Sequence, residues 1–524
     1  MKKTIFKFLL LGILLLGPAL VLESADIQIN NYEPAIKTFK VSQRIYDLYQ
    51  QMNDLRKSRN QSDLALSPPL TLTAQNYLKH YLSLSSTQLS LRQISYFGSL
   101  AGNILPALHP YLVEQSPGQD VIDDKFKDMF QNQDATDVGI AQLTDPNTKR
   151  IFTLFIFAKR NVSLNPVLIR NKINMKQTLT GVISNKLNKP QIWLTVPSGT
   201  VKEINTNVNQ NNFSGSFYTS SGPGVYQVEV TAQGDLGPEV IALFPIYVGV
   251  APKLPVGEFK DPKKDLTVEQ AETYLFVLLN QTRQKYNLPA LKWNESLKDV
   301  ARAHSQEMVD KDYFAHISPV TNKDNGKRLD DAGIDYISCA ENLGYSQSIV
   351  GIHEGLMESP GHRQNILGSY GEGGIGIAIK KVNGVNYYYA TQIFLNASQN
   401  VSPDQIRNQL FDQLNAYARE KGRPIFKKLE KLDQLAQNEA EQFGKQDPVT
   451  LDGYQVSNFS EKAKEIPYRK ARTFFMRIKG GQEIEMDPEY LNKNYDTIGI
   501  GVYQGTSQFG GPNTVWILMV FIGN

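Results

Sequence analysis

One order of elements occurs three times along this chain, and that repetition limits the fold more than any single motif. In the middle, LNQTRQKYNLPALKWNESLKDVARAHSQEM (Leu279 to Met308) reads as helix, loop, helix. Leu297, Val300, Ala301 and Met308 have helical spacing, and Asn294 is placed to cap the second helix. GGIGIAIKKVNGVNYYYATQIF follows as two strands, with Asn383-Gly384 as the hairpin turn. Near the C-terminus, LNAYAREKGRPIFKKLEKLDQLAQNEAEQF repeats the helical pair. Pro424, Leu432, Leu435 and Ala436 stand 135 residues after Pro289, Leu297, Val300 and Ala301. DTIGIGVYQGTSQFGGPNTVWILMVFI then supplies the strands. Near the N-terminus, MNDLRKSRNQSDLAL sets Asn53 and Arg56 at the spacing of Asn280 and Arg283, and TDVGIAQLTDPNTKRIFTLFIFA closes that segment. Three copies of one α/β sandwich unit are expected, the first matching least.

Val162 to about Val250 has another texture. IWLTVPSGT, SGSFYTSSGPG, VYQVEVTAQG and VIALFPIYVG alternate or run apolar between Gly, Pro and Ser turns. Tyr226, Val228 and Val230 are expected on one face, with Gln227, Glu229 and Thr231 on the other. Short strands at this spacing predict a β-sandwich of general immunoglobulin-like type. APKLPVGEFKDPKKDLT is a Pro/Lys-rich linker, and NASQNVSPD a shorter one.

The chain begins MKKTIFKFLLLGILLLGPALVL, a short positive start followed by an apolar run, which is the build of a secretory signal. Glu23 spoils the cleavage site, so an uncleaved N-terminal anchor is the alternative, although about 20 apolar residues are needed to span a bilayer. VWILMVFI reads as a buried strand. Net charge is +3, from 55 basic and 52 acidic residues, with no polybasic run, so nucleic acid is not an expected partner. Cys339 is the one cysteine, so no internal disulfide forms. It is read as a buried apolar residue, with a link between two chains as the alternative.

Six histidines are present, four of them (His304, His316, His353, His362) in the middle copy and none in the third, where Glu439 stands at the position of His304. Read alone, each has a bland role. His316 could bond a loop carbonyl, Glu341 could tie its loop to the next helix, and His362 could sit at a helix start capped by Ser359. Arg363 and Asn365 are read as bracing residues, and Glu354 and Glu358 as a solvated helix face.

The pieces LLNQTRQKYNLPALKWNESL, ARAHSQEMVDKDYFAHISP, AENLG, ESPGHRQNIL and GGIGIAI…YYYATQIF resemble the CAP superfamily (cysteine-rich secretory, antigen 5 and pathogenesis-related proteins) in its bacterial SCP-like form. The resemblance covers about 120 residues in family order. It implies an α+β multidomain chain with a three-layer α-β-α CAP domain in the middle and degenerate CAP-like domains at both ends. The expected divisions are 1–25 signal or anchor, 35–160 degenerate CAP-like, 162–252 immunoglobulin-like sandwich, 253–266 linker, 267–397 CAP and 404–524 degenerate CAP-like.

It also implies a cleft lined by His316, Glu341 and His362. Glu358 is the nearest acid to the fourth position; Ser359 holds its strict place, and Leu356 stands where the family has a tryptophan. His304 is expected outside the cleft centre. His316 and His362 are the metal candidates, with Glu341 as a further donor, and zinc is an optional rather than a required cofactor. No catalytic residue is assigned. Ser318 and Ser359 both precede prolines and lack a G-x-S-x-G context. The expected function is a secreted or envelope, non-enzymatic binding or scaffold protein whose ligand is a lipid, a protein or a cell-wall component. One alternative is a zinc-dependent, peptidase-like hydrolase using His316, Glu341 and His362; another is a purely structural envelope protein.

Overall fold

The computed structural model describes residues 29–33, 39–84, 89–118, 134–256, 261–382 (262 and 264 apart), 384–447 and 459–523. The expected signal segment and Asn383 lie outside these. Two compact units form. One runs through Gln233 with Glu239–Glu258; the other holds Gly234–Pro238 and Phe259–Asn524. The protein is mixed α+β.

In the second unit, a capping box between Thr267 and Gln270 starts α1 (Val268–Lys285). A short strand β1 (Lys292–Trp293) leads into α2 (Glu295–Lys311), capped as expected by the Asn294 side chain, which accepts from the Leu297 N–H at 3.2 Å. Then come α3 (Asn325–Asp331), β2 (Tyr336–Ser346), α4 (Ile349–Glu358), α5 (Pro360–Ile366), β3 (Glu372–Val382) and β4 (Val385–Ala397). Val382 pairs with Val385 at the end of the β3–β4 ladder, and Gly384 has φ +82°.

The sheet order is β1-β3-β4-β2, parallel between β1 and β3 and antiparallel elsewhere. Leu275, Leu279, Ile352 and Leu356 from α1 and α4 bury one face against Ile375, Ile377, Tyr388, Ala390 and Phe394. Leu297, Ala301 and Leu329 from α2 and α3 bury the other against Ile393 and Leu395. The GGIGI run explains the close seating of α2. A Cβ on Gly376 would lie 1.9 Å from the Arg302 nitrogen, so only glycine lets helix backbone rest on this strand.

The same strand order recurs at the C-terminus, where 427–428, 497–507, 511–523 and 470–479 are neighbours in that sequence. VWILMVFI lies in the last strand and is buried. In the first unit, 65–66, 137–144, 151–158 and 109–115 repeat the order. A shared clasp follows the first helix in all three places. Asn280 accepts from the Leu291 N–H at 2.8 Å and donates to its carbonyl at 3.2 Å. Asn53 does the same with Leu64 at 2.9 and 3.1 Å, and Asn415 accepts from the Phe426 N–H at 2.7 Å. Each pair is 11 residues apart. Arg283 and Arg56 add an Nε–H bond to the carbonyl six residues on, at Pro289 and Ser62. The C-terminal copy has Ala418 there.

The rest of the first unit holds a five-stranded and a four-stranded sheet over Val162–Val248. Tyr226, Val228 and Val230 are buried as expected. Glu229 is buried too, because its strand is interior to the sheet and pairs it with Trp193.

Candidate functional site

The loop leaving α2 turns at Asp312, whose left-handed φ of 56° ends the helix, and carries Tyr313 to Ser318 over the sheet face bearing Glu341. Bonds from α2 and from the 234–238 segment hold that loop. The His304 ring bonds the Ala315 carbonyl through Nε2 at 3.1 Å. Glu307 accepts from the Tyr313 hydroxyl at 2.7 Å and the Ser318 hydroxyl at 3.0 Å. Ile317 N–H donates to Leu236 C=O at 2.9 Å, and a Cβ at Gly237 would come within 2.9 Å of the His316 Cβ, so the Gly234–Pro238 turn abuts the site residue.

At the centre, His316 Nδ1 lies 2.8 Å from Glu341 Oε1. The other carboxylate oxygen accepts from Arg328 Nη2 at 2.5 Å. Arg328 also donates through Nη1 to the His316 carbonyl at 3.0 Å and the Lys323 carbonyl at 2.8 Å. The carboxylate is nearly sealed, with its side chain 4% exposed. Burial alone would raise its pKa. The His316 hydrogen bond and charge and the Arg328 guanidinium outweigh that and hold it below the ordinary value, so it stays ionised at neutral pH. An ionised Glu341 requires the proton on His316 Nδ1. The neutral ring therefore has its lone pair on Nε2.

His362 occupies the first turn of α5. The Asn342 amide, next to Glu341 on β2, donates to the His362 carbonyl at 3.1 Å. Asn365 donates to the Asn342 side-chain Oδ1 at 2.9 Å and to the Glu341 backbone carbonyl at 3.4 Å. This ties α5 to the strand that carries the carboxylate. Burial pushes the His362 pKa down to about 3, and the charge of nearby His316 adds to the depression. Burial likewise takes His304 and His353 to about 4. His353 is not near this centre; its Nε2 bonds Thr282 between α1 and α4 at 2.7 Å.

The structure thus brings His316 and Glu341 into contact, and ties the His362 backbone to Asn342, the neighbour of Glu341. It places Glu358 at the exposed last residue of α4. Ser318 is buried and accepts from the Val320 and Thr321 N–H groups while bonding Glu307, the pattern of a turn-forming serine. Arg363 braces, donating to the Met357 carbonyl and lying over the Tyr286 ring at 5.1 Å. Arg328 and Glu307 were not legible as site residues. Arg328 sits in the charged stretch GKRLDDAG; its only signal is its place between His316 and Glu341.

Residues 276–394 match the family described as "CAP: Cysteine-rich secretory protein family". The middle segment is a CAP domain. The chain is 32% identical over 129 residues to "Uncharacterized membrane protein YlbC" of Bacillus subtilis, covering 24% of this chain and 34% of that protein. It is 38% identical over 102 residues to "Uncharacterized protein YkwD" of the same organism, covering 19% and 39%. The chain thus spans between a third and two-fifths of the length of these curated relatives. Similar solved structures include an extracellular protein containing a SCP domain from Bacillus anthracis (21% identity, TM-score 0.22, 44% of this chain and 85% of that one). A cysteine-rich secretory protein from Staphylococcus aureus is another (16% identity, TM-score 0.21, 45% and 85%).

The CAP domain's donor set allows a test of zinc. Both Glu341 oxygens are already engaged, one by a guanidinium, so Glu341 does not fit as a ligand. It fits as the outer carboxylate that orients His316. That leaves at most two donors, His316 Nε2 and the His362 imidazole, fewer than the three protein ligands a catalytic zinc takes. Among the described residues no group of three or more His, Cys, Asp or Glu is arranged to hold a metal ion.

Proposed function

We propose that the CAP domain is a ligand-binding module of an exported protein rather than a hydrolase. The observation that carries this reading is the closed wiring of Glu341. A carboxylate held by His316 and Arg328 orients an imidazole, and is not placed to take a proton from water. Ser318, the serine nearest to His316 in sequence, is committed to its own turn. Of the roles open to this centre, presenting His316 Nε2 and the flanking loop to a bound molecule needs no further group. Export rests on the N-terminal MKKTIFKFLLLG sequence; among the described residues no helix is long and apolar enough to cross a membrane. We read 35–160 and 404–524 as degenerate CAP-like domains, from the repeated strand order, and 162–252 as an immunoglobulin-like sandwich; both serve as display scaffold.

The test uses the full chain and its His316→Ala variant in calorimetric zinc titrations and in peptide and ester hydrolysis assays with and without zinc. The expected result is no turnover, and zinc binding that is weak and dependent on His316. Zinc-stimulated hydrolysis that disappears in the variant would overturn the reading.

A further inference from the structure

We infer that an aromatic shelf beside the His316–Glu341 centre binds the flat face of a sugar ring, and that the ligand of this CAP domain is therefore a glycan chain. This rests on the binding-module reading. Side chains alternate along a strand. Glu341 and Tyr345 are four residues apart on β2, so they project from the same sheet face. The register puts Tyr345 directly opposite Tyr389, and Tyr387 shares the face of Tyr389 two residues away. The Tyr345 and Tyr389 rings stack at 5.6 Å with 23° between planes. Phe314, two residues before His316, stands edge-on to both, at 5.1 Å and 6.1 Å. Phe314 is 43% exposed and Tyr345 39%. Large rings left this open in a cluster are not core residues.

The surroundings select the ligand class. The charged groups beside Tyr389, Lys380 and Asp312, pair with each other at 2.5 Å. They add no net charge, so a nucleic-acid strand, which needs a positive groove beside its stacking rings, is not favoured. Nor is there the cation-rich apolar face of a membrane-surface helix. Gln347 donates to the Tyr387 hydroxyl at 2.8 Å, so the shelf has a polar margin as well as flat faces. A cluster of partly exposed rings, beside a paired Lys380–Asp312 and a Gln347–Tyr387 hydrogen bond, matches a pyranose, which is apolar on its faces and hydroxylated at its rim.

The probe is a β-1,4-linked N-acetylglucosamine hexamer titrated calorimetrically into the full chain. We expect saturable binding that weakens at least 10-fold in Tyr345→Ala and in Phe314→Ala, and stays within about two-fold in Tyr345→Phe, which keeps the ring. No saturable binding by the natural protein, or equal binding by Tyr345→Ala with the fold intact by circular dichroism, overturns the proposal. Ring-dependent binding to anionic phospholipid vesicles in place of the hexamer overturns the glycan assignment in favour of a lipid surface. Hexamer cleavage that is lost in His316→Ala would overturn the binding-module reading while leaving the shelf standing.

Discussion

Replacing Arg328 with methionine isolates the electrostatics of the CAP centre. The change keeps most of the aliphatic packing and removes the guanidinium from Glu341. An ionised carboxylate then stays nearly sealed from water with His316 as its remaining polar partner. Removing one partner of a buried pair costs about 3–5 kcal/mol when the charge must persist. Protonation sets a ceiling. Bringing a carboxyl of ordinary value 4.5 to its neutral form at pH 7 costs about 3 kcal/mol, at about 1.4 kcal/mol per unit. The expected loss at pH 7 is therefore about 2–3 kcal/mol.

The sign against pH is specific. In the variant, the folded-state pKa of Glu341 is raised, so its penalty is absent below the unfolded value near 4.5 and grows as pH rises towards the raised one. The chain supplies its own probe. It has three tryptophans, and Trp293 lies in the CAP domain while Trp193 and Trp516 lie elsewhere. With the other two changed to phenylalanine, urea unfolding is followed at Trp293, inside the CAP domain. Arg328→Met with Glu341→Gln should recover most of the loss. A loss equal at pH 5 and pH 7, or a double variant no better than the single one, would refute the reasoning.

Other outcomes follow from the same geometry. His304 and His353, held at about 4 against an ordinary 6.5, contribute stability that is full above pH 6.5 and is lost as pH falls towards 4. Each is worth up to about 3 kcal/mol. The unfolding midpoint read at Trp293 should drop over that window, while that read at Trp516, in a copy without histidine, should move less. Asn280→Ala breaks two bonds to Leu291 and should cost about 2 kcal/mol. Asn415→Ala breaks the one to Phe426 and should cost about 1 kcal/mol, measured at Trp516. Gly376→Ala drives a methyl into the backbone of α2 and should cost the CAP domain more than either, by Trp293 urea midpoints.

What could be read in the sequence was whatever recurs with a period. The 3.6-residue spacing around Leu297 and Ala301 and the strands of GGIGIAI each mark a face that must be buried, so the layers were legible. Asn415 was not picked out, although it stands 135 residues after Asn280, because a lone asparagine in a helix carries no apolar signal. Arg328 was hidden for a related reason. Its partner lies 13 residues away on a strand, and nothing in GKRLDDAG distinguishes a buried guanidinium from a solvated one.

The C-terminal copy argues that the wiring around Glu341 is not there to hold the fold. Leu297 and Gly374 meet in the CAP domain as Leu432 and Gly499 meet at the C-terminus, and Gly374 pairs with Ile393 as Gly499 pairs with Val520. Across the next strand, Ile393 faces Glu341, and Val520 faces Thr473. The position of Glu341 thus holds an uncharged residue in the other copy. The position of His304 holds Glu439, satisfied by Lys462 at 2.6 Å. The same strand order closes with either set. A buried carboxylate needs an imidazole, a guanidinium and a loop pinned by His304 to be tolerated, and such groups seldom add stability over an uncharged substitute. The same sheet is built at the C-terminus with Thr473 in that place, so the fold itself does not require the network.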